Sequence, residues 1–243
     1  MGDLKDRRAR KKAQTREQIQ RVAQQLFAEH GFENVTIADI AGRADVAVQT
    51  VFNHFATKED LFFADRADWV DGAAEAVRSR PRDVAPLTAL RRHFLSTIRR
   101  YLQSLEDPEM RAVVATLDAS PALSAYEREL HNESVRLLAA ALVEAYPEEN
   151  SPAPGTAPSV ALRTWASLTA SVWLAAVRGL LIEQRAELAD AGQSAEAALV
   201  VERLAEQVLL QLEAGPVLDQ CEPVIEPRPA PYTDWSQTTR RAV

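Results

Sequence analysis

Apolar residues recur at helical spacing near the start of the chain. Thr15 and Gln18 make a capping box, in which the two side chains bond backbone N–H groups at a helix start. Apolar positions then follow every three or four residues until Gly31, a residue type common just after a helix end. They are Ile19, Val22, Ala23, Leu26 and Phe27. The pattern predicts a helix from Thr15 to Gly31.

Two short helices with a tight turn between them fit the segment TIADIAGRADVAVQTVFNHF. Thr36 and Asp39 form a variant of the capping box, so the first helix is predicted to begin after Thr36 and to end near Ala44. Asp45 favours a turn. A second helix is predicted from about Ala47, and this layout is typical of a helix-turn-helix DNA reader.

The second helix has a core-facing side and an outward-facing side. Val51 and Phe55, at positions i and i+4, are predicted to be buried. The residues that then point outward are Gln49, Phe52 and Asn53 on one stripe and Thr50 and His54 on the next. Polar groups in such a position can meet base edges and phosphates.

Another helix start follows at Thr57 and Asp60, which form a second capping box. Lys58 lies at the N-terminus of this helix, where exposed backbone N–H groups and the helix dipole attract an anion. The position is therefore predicted to suit a DNA phosphate.

Beyond Phe62 the pattern remains helical, without strand-like alternation. Helix-breaking segments divide this region into about five further helices. These segments lie near Pro81–Pro86, Asp107–Pro108, Ser120–Pro121 and 147–159. A helix from about Val160 to Glu187 is nearly apolar all round, and another follows from Ser194 to Glu213. Two such helices meeting a two-fold copy would form a four-helix dimer interface, while packing within one chain is the alternative.

Charge is unevenly distributed along the 243 residues. The net charge is −7, which is unfavourable for DNA binding, but the acidic excess lies after residue 60. Cations cluster at the N-terminus: Lys5, Arg7, Arg8, Arg10, Lys11, Lys12 and Arg16. This basic arm either reaches the DNA minor groove or backbone or remains a solvated, disordered charge run.

Other features predict a soluble, cytoplasmic protein without a membrane partner. Cys221 is the single cysteine, which excludes an internal disulfide framework and suits a reducing compartment. The start of the chain has no apolar signal-peptide region, and no uninterrupted apolar run reaches membrane-spanning length. After Gly215 the chain is rich in proline, which predicts an extended or disordered tail.

The segment from Arg16 to Phe62 resembles the tetracycline-repressor (TetR) family of bacterial transcription regulators, following its pattern almost position by position. The resemblance implies phosphate contacts for Thr36, Thr50, Phe52, His54 and Lys58, and base contacts for Val48, Gln49 and Asn53. Two departures from the family pattern are Phe52, which stands where Tyr is common, and Ala47, which stands where a Ser N-cap is common. Gln49 in addition replaces a frequent Gly with an amide suited to adenine. These changes concern the operator sequence.

The resulting prediction is an all-α protein with an N-terminal three-helix helix-turn-helix DNA-binding domain and a larger helical ligand-binding and dimerisation domain. The predicted boundaries are a flexible basic arm over 1–13, the DNA-binding domain over 14–62, the larger domain over 63–214 and the tail over 215–243. By resemblance, the protein is a homodimeric repressor of a palindromic operator, released by a small hydrophobic effector. Residues 110–146 and 161–181 are similar in general texture to a branch with acyl-CoA-like ligands. The predicted pocket residues are Phe94, Ile98, Tyr101, Leu117 and Trp165, each of which is equally consistent with plain core packing.

Enzymatic interpretations find no support in the sequence. It contains no glycine-rich phosphate loop, no G-x-S-x-G nucleophile elbow and no H-E-x-x-H metal motif, so no catalytic residue, metal or cofactor is predicted. Glu127 and His131, one helical turn apart, are predicted to form a surface ion pair. The alternatives left open are a helical enzyme, a ligand-independent architectural DNA-binding protein, and a helical subdomain that binds nothing.

Overall fold

A computed structural model describes residues 2–64, 67–146, 158–191 and 195–215. Eleven α-helices and no strand occur in these ranges. The helices are α1 (Gly2–His30), α2 (Ile37–Arg43), α3 (Val48–Phe52), α4 (Lys58–Phe62), α5 (Ala67–Arg78), α6 (Pro86–Ser104), α7 (Pro108–Ala119), α8 (Pro121–Ala145), α9 (Val160–Leu181), α10 (Arg185–Ala191) and α11 (Ala195–Ala214). The proline-rich tail and most of the predicted loop over 147–159 lie outside the described residues.

The first helix is longer than predicted. It begins at Gly2 rather than at Thr15, so the basic segment is an extension of α1 and the predicted capping box at Thr15 is wrong. The physical reason is composition, because Arg, Lys, Ala and Gln are good helix formers and no Gly or Pro interrupts residues 3–30. The helix ends as predicted before Gly31, which has φ +77° and donates its N–H to the Phe27 carbonyl.

The helix-turn-helix prediction is confirmed in its local detail. Thr36 caps α2, and its side chain and that of Asp39 make the reciprocal hydrogen bonds of a capping box. Asp45 adopts a left-handed conformation with φ +53° in the turn, a region that Asp tolerates better than most residues. Ala47 then lies at the N-cap of α3 without a side-chain hydrogen bond.

Two apolar clusters form the interior. The first joins α1 to α4 and includes Ile19, Phe27, Ile40, Val51 and Leu61, all almost fully buried. The second joins α5, α6, α8, α9 and α11 around side chains such as Leu90, Ile98, Leu138 and Trp173. Because α6, α8, α9 and α11 bury continuous stripes, the amphipathic patterns in the sequence correctly predict this core.

The first cluster extends past the predicted domain boundary at residue 62. Leu117 at the end of α7 and Leu123 at the start of α8 are buried within it, and Tyr126 and Leu130 pack against it. Phe63 stacks on Tyr126 with ring centroids 5.5 Å apart. The N-terminal helices therefore sit on the junction between α7 and α8.

The apolar helix predicted from Val160 to Glu187 is divided in the structure. Its first part, α9, ends at Leu181, and a short helix, α10, begins at Arg185. By length and composition alone α9 could cross a membrane, with a mean hydropathy of 1.3, although Arg163, Arg178 and several Ser and Thr residues interrupt its apolar sequence. One such helix is weak evidence for a membrane span, since the core helix of a soluble protein has the same properties.

Candidate DNA-binding surface and internal cavity

The exposed side of α3 carries the residues predicted to contact bases. Val48 and Phe52 expose 42% and 47% of their surface, although both are large apolar residues, and Gln49 and Asn53 are exposed beside them. The Gln49 amide donates a hydrogen bond to Asn53 Oδ1 at 3.3 Å. The two amides are thus held side by side, with hydrogen-bonding capacity left for a partner.

Buried residues on the opposite side fix α3 to the N-terminal core. Val51 and Phe55 are 0% and 3% exposed, as predicted. Arg16 on α1 places its guanidinium 4.2 Å from the centre of the Phe55 ring and donates to the carbonyl of His54 at 2.7 Å. The end of the basic segment therefore lies against the C-terminal end of α3.

His54 lies at this junction and is partly buried. Burial lowers the pKa of its imidazole, and the nearby cations Lys12 and Arg16 lower it further. The ring is therefore neutral near pH 7. In that form it can offer one N–H donor to a phosphate, but no positive charge.

The predicted helix start at Thr57 and Asp60 is confirmed, since both hydrogen bonds of the capping box are present. Lys58 also has partners within the N-terminal domain. Its ammonium donates to the carbonyls of Phe32 and Val35 at 2.8 and 3.0 Å and lies 4.2 Å from the Phe32 ring centre. Lys58 therefore closes the loop between α1 and α2, a structural role that its position in the sequence did not reveal.

The helices after α4, together with Phe63, form a cavity of about 360 Å³ that is partly open to solvent. Its wall is formed by Phe63, Trp69, Thr97, Arg100, Tyr101, Ser104, Met110, Val114, Leu117, Glu127, Leu130, Leu181, Ile182 and Arg185. The volume lies within the range of small-molecule pockets, and the wall is largely apolar with a few charged groups, as in such pockets.

Two of the five predicted pocket residues, Tyr101 and Leu117, line this cavity. Phe94 lines a smaller adjacent cavity. Ile98 is fully buried in the core and lines neither cavity, and the partly buried Trp165 instead packs edge-on against Tyr146, with ring centroids 4.9 Å apart. An apolar stripe marks a helix face that is buried, but not which part of that face borders a void.

The charged wall residues were not predicted. Arg185, only 8% exposed, donates from Nη1 to both carboxylate oxygens of Glu127 at 2.7 and 2.8 Å, and its Nε donates to Asp118. The predicted surface pair between Glu127 and His131 is therefore wrong, because Glu127 is committed to a buried partner from α10. The attraction of these carboxylates outweighs desolvation and raises the pKa of the Arg185 guanidinium, so it stays charged.

Residues 19–64 match the family described as bacterial regulatory proteins, tetR family. The HTH-type transcriptional regulator TcmR of Streptomyces glaucescens is 30% identical over 141 residues, 55% of this chain and 62% of TcmR. The putative mycofactocin biosynthesis transcriptional regulator MftR of Mycobacterium tuberculosis is 39% identical over 56 residues, 23% of this chain and 28% of MftR. The chain thus matches less than two thirds of the length of these curated relatives.

A solved structure is similar over a larger share of the chain. It is NalD, the secondary repressor of the MexAB-OprM multidrug efflux pump in Pseudomonas aeruginosa. The similarity covers 84% of this chain and 95% of NalD, with 21% sequence identity and a TM-score of 0.47. The family match over residues 19–64 confirms the resemblance read from the sequence, and this segment is a TetR-family helix-turn-helix domain.

Proposed function

We propose that this chain, which carries the helix-turn-helix domain of the tetR family, is a cytoplasmic, effector-responsive transcriptional repressor that binds a palindromic operator as a homodimer. The observation that carries the proposal is the exposed pair Gln49 and Asn53 on α3, in a segment that matches the family. A helix held outward by a buried Val51 has the dimensions and the polar face needed to enter a major groove.

The proposal divides the DNA contacts into two groups. Val48, Gln49 and Asn53 read base edges, and the Gln49 amide is suited to a bidentate contact with adenine. Thr36, Thr50, Phe52, His54 and Lys58 lie against the phosphates. Since the Lys58 ammonium already bonds two carbonyls, it reaches a phosphate only through its remaining N–H or after rotation of its side chain.

The basic extension of α1 adds a second source of DNA affinity. Arg7, Arg8 and Arg10 are exposed on a helix that passes the end of α3 at Arg16. Cations so close to the recognition helix attract the duplex without selecting a sequence. A helix is too wide to enter the minor groove as an extended arm would, so we place these cations against the backbone.

Exposed apolar stripes on α9 and α11 support a dimer. Leu168 and Val172 on α9 are each 48% exposed, and Val200 and Leu204 on α11 are 58% and 48% exposed. Each pair is spaced by four residues and forms one stripe of its helix. Since α9 and α11 pack on each other within the chain, a two-fold copy would cover both stripes in a four-helix interface.

Effector release follows from the position of the cavity. Phe63, Leu117 and Leu130 line the cavity and also pack in the N-terminal core. A bound molecule that favours a different arrangement of α7 and α8 therefore moves the helices that support α3. The affinity of the protein for DNA then falls at most by the factor by which the effector's affinity differs between the two arrangements of the protein. The proposed effector is an acyl-CoA-like or another hydrophobic molecule.

Retention of DNA by the purified chain tests the proposal. Duplexes from the region upstream of its own gene are incubated with the protein at low salt, and bound sites are mapped by footprinting. We expect one protected palindrome whose half-sites are about one helical turn apart. Protection of many unrelated sequences would instead indicate an architectural DNA-binding protein, and no retention at all would overturn the proposal.

A further inference from the structure

A second, smaller cavity adjoins the main one. It has a volume of about 20 Å³ and shares Trp69, Thr97 and Ile182 with the wall of the main cavity. That volume is enough for about one water molecule, or for a terminal oxygen of a molecule that fills the larger space. We call the main cavity the body compartment and the smaller one the end compartment.

Arg178 on α9 lines the end compartment. Its Nε donates to Glu183 at 3.0 Å, on the side that faces solvent. Its Nη1 is buried and has no hydrogen-bond partner among the described residues. Buried guanidinium donors are almost always paired, so this atom of a residue that lines the compartment lacks the acceptor it would normally have.

The wall residues of the end compartment include no carboxylate that could pair with Arg178. Glu127 is the acidic side chain in the main cavity wall, and both of its oxygens already accept from Arg185. His131, near Arg178 in the end compartment, has its pKa lowered by burial and then by the charge of Arg178, so its neutral ring adds no second positive charge there. Arg178 is therefore the charged residue that lines the end compartment.

We propose that the effector is a compact apolar molecule that ends in a carboxylate or another anionic oxygen group, with that oxygen accepting a hydrogen bond from Arg178 Nη1. Its apolar body fills the compartment lined by Tyr101, Met110 and Leu117. This inference rests on the proposed effector-responsive function and assigns the chemistry that the cavity selects. An acceptor at this position supplies the missing partner of the buried Nη1 donor, whereas a purely apolar molecule leaves that donor unpaired.

Two dyes that differ by one anionic group provide the test. The probe 1-anilinonaphthalene-8-sulfonate carries a sulfonate, and N-phenyl-1-naphthylamine has the same rings without it. Their affinities for the purified protein are measured by isothermal titration calorimetry, with competition between the dyes to establish a shared site. We expect the sulfonate to bind about tenfold more tightly, the size of one charge-assisted hydrogen bond. Replacing Arg178→Met should remove that preference and leave the affinity for the neutral dye within about twofold, the change expected when no hydrogen bond to that dye is lost.

Control variants separate this effect from general charge and from misfolding. Arg136→Met removes an exposed arginine of α8, with 73% of its side chain accessible, and should change neither affinity. Arg178→Lys keeps the charge and should bind the sulfonate more tightly than Arg178→Met does. Equal affinities for the two dyes in the unmodified protein, absence of competition, or equal losses in the Arg178 and Arg136 variants would overturn the inference.

DNA retention measured on the same samples separates the two proposals. A protein that protects its operator but does not distinguish the dyes contradicts the assigned effector chemistry alone. A protein that distinguishes the dyes but retains no duplex contradicts the proposed regulatory function.

Discussion

The hydroxyl of Tyr126 on α8 donates a hydrogen bond to Asp60 Oδ1 on α4. The other oxygen of the same carboxylate accepts the backbone N–H groups of Ala56 and Thr57 at the start of α4. Asp60 therefore caps a helix of the DNA-binding domain and at the same time joins that helix to the larger domain. Leu130, one turn further along α8, lines the cavity, so the joint and the cavity share one helix.

The joint has a characteristic alkaline pH dependence. Burial, the hydrogen bond to Asp60 and the charge of that carboxylate raise the pKa of Tyr126 above its ordinary value near 10. A group whose pKa is higher in the folded state stabilises the fold below its unfolded pKa and loses that contribution as the pH rises. We expect Tyr126→Phe to be less stable than the unmodified chain at pH 8, and the difference to shrink above pH 10. Urea unfolding at several pH values measures this difference, and a constant difference would contradict the assignment.

If the side chains on α3 contact bases, shortening them should reduce the affinity of the protein for its operator. Gln49→Ala and Asn53→Ala should each weaken operator binding by roughly 1–3 kcal/mol and relax the base preference at one position of each half-site. Electrophoretic mobility shifts with the operator and with single-base variants measure both effects. Gln103→Ala, an exposed change of the same type on α6, serves as the control. Unchanged base preference in both α3 variants would show that these amides do not read the sequence.

Phosphate contacts predict the salt dependence. If each subunit neutralises about four phosphates, the plot of log affinity against log salt should have a slope of about −7 for the dimer. Lys11→Gln in the basic part of α1 removes one cation per subunit and should make the slope less steep by about 2. Fluorescence anisotropy between about 50 and 200 mM salt covers the useful range. A slope near zero would contradict the electrostatic contribution.

The DNA-binding segment was predictable because its determinants are local. Thr36 with Asp39 and Thr57 with Asp60 cap helices within four residues of sequence, and Asp45 turns the chain between two of them. Such signals need no knowledge of distant parts of the chain. The same logic failed at Thr15, where the capping signal competes with uninterrupted helix-forming residues on both sides.

The cavity was only partly predictable because its wall comes from six helices, α5 to α10, and the segments between them. Arg185 meets Glu127 and Asp118 from sequence separations of 58 and 67 residues, and no local pattern pairs them. Lys58 likewise finds its carbonyl partners more than twenty residues away. Side chains whose partners depend on tertiary packing are therefore the ones that the sequence assigned incorrectly or did not assign.

The apolar stripe of α11 predicts the oligomeric state. Leu204→Glu places a charge at the centre of the proposed interface, where burial without a partner is costly, so we expect a monomer at concentrations at which the unmodified chain is dimeric. Analytical ultracentrifugation measures the mass. The control Gln103→Glu adds the same charge at an exposed polar position on α6, outside both apolar stripes, and should leave the dimer intact. A dimer that survives Leu204→Glu would place the interface elsewhere.

The buried pair of Arg185 and Glu127 predicts that removing one charge destabilises the protein more than removing both. Arg185→Met leaves Glu127, whose side chain is 12% exposed, with an uncompensated charge, and removing one member of a buried pair costs roughly 3–5 kcal/mol. The double variant Arg185→Met, Glu127→Gln removes both charges and should recover much of that loss, because the desolvation cost disappears with the pair. Urea unfolding curves measure both free energies.

Arg185 also bonds Asp118, which lies near the end of α7 next to Leu117, a residue packed in the N-terminal core. The single variant should therefore weaken operator binding by more than its loss of stability explains. The double variant should not restore operator binding. Full recovery of operator binding in the double variant would show that Arg185 acts on stability alone and not on the position of α7.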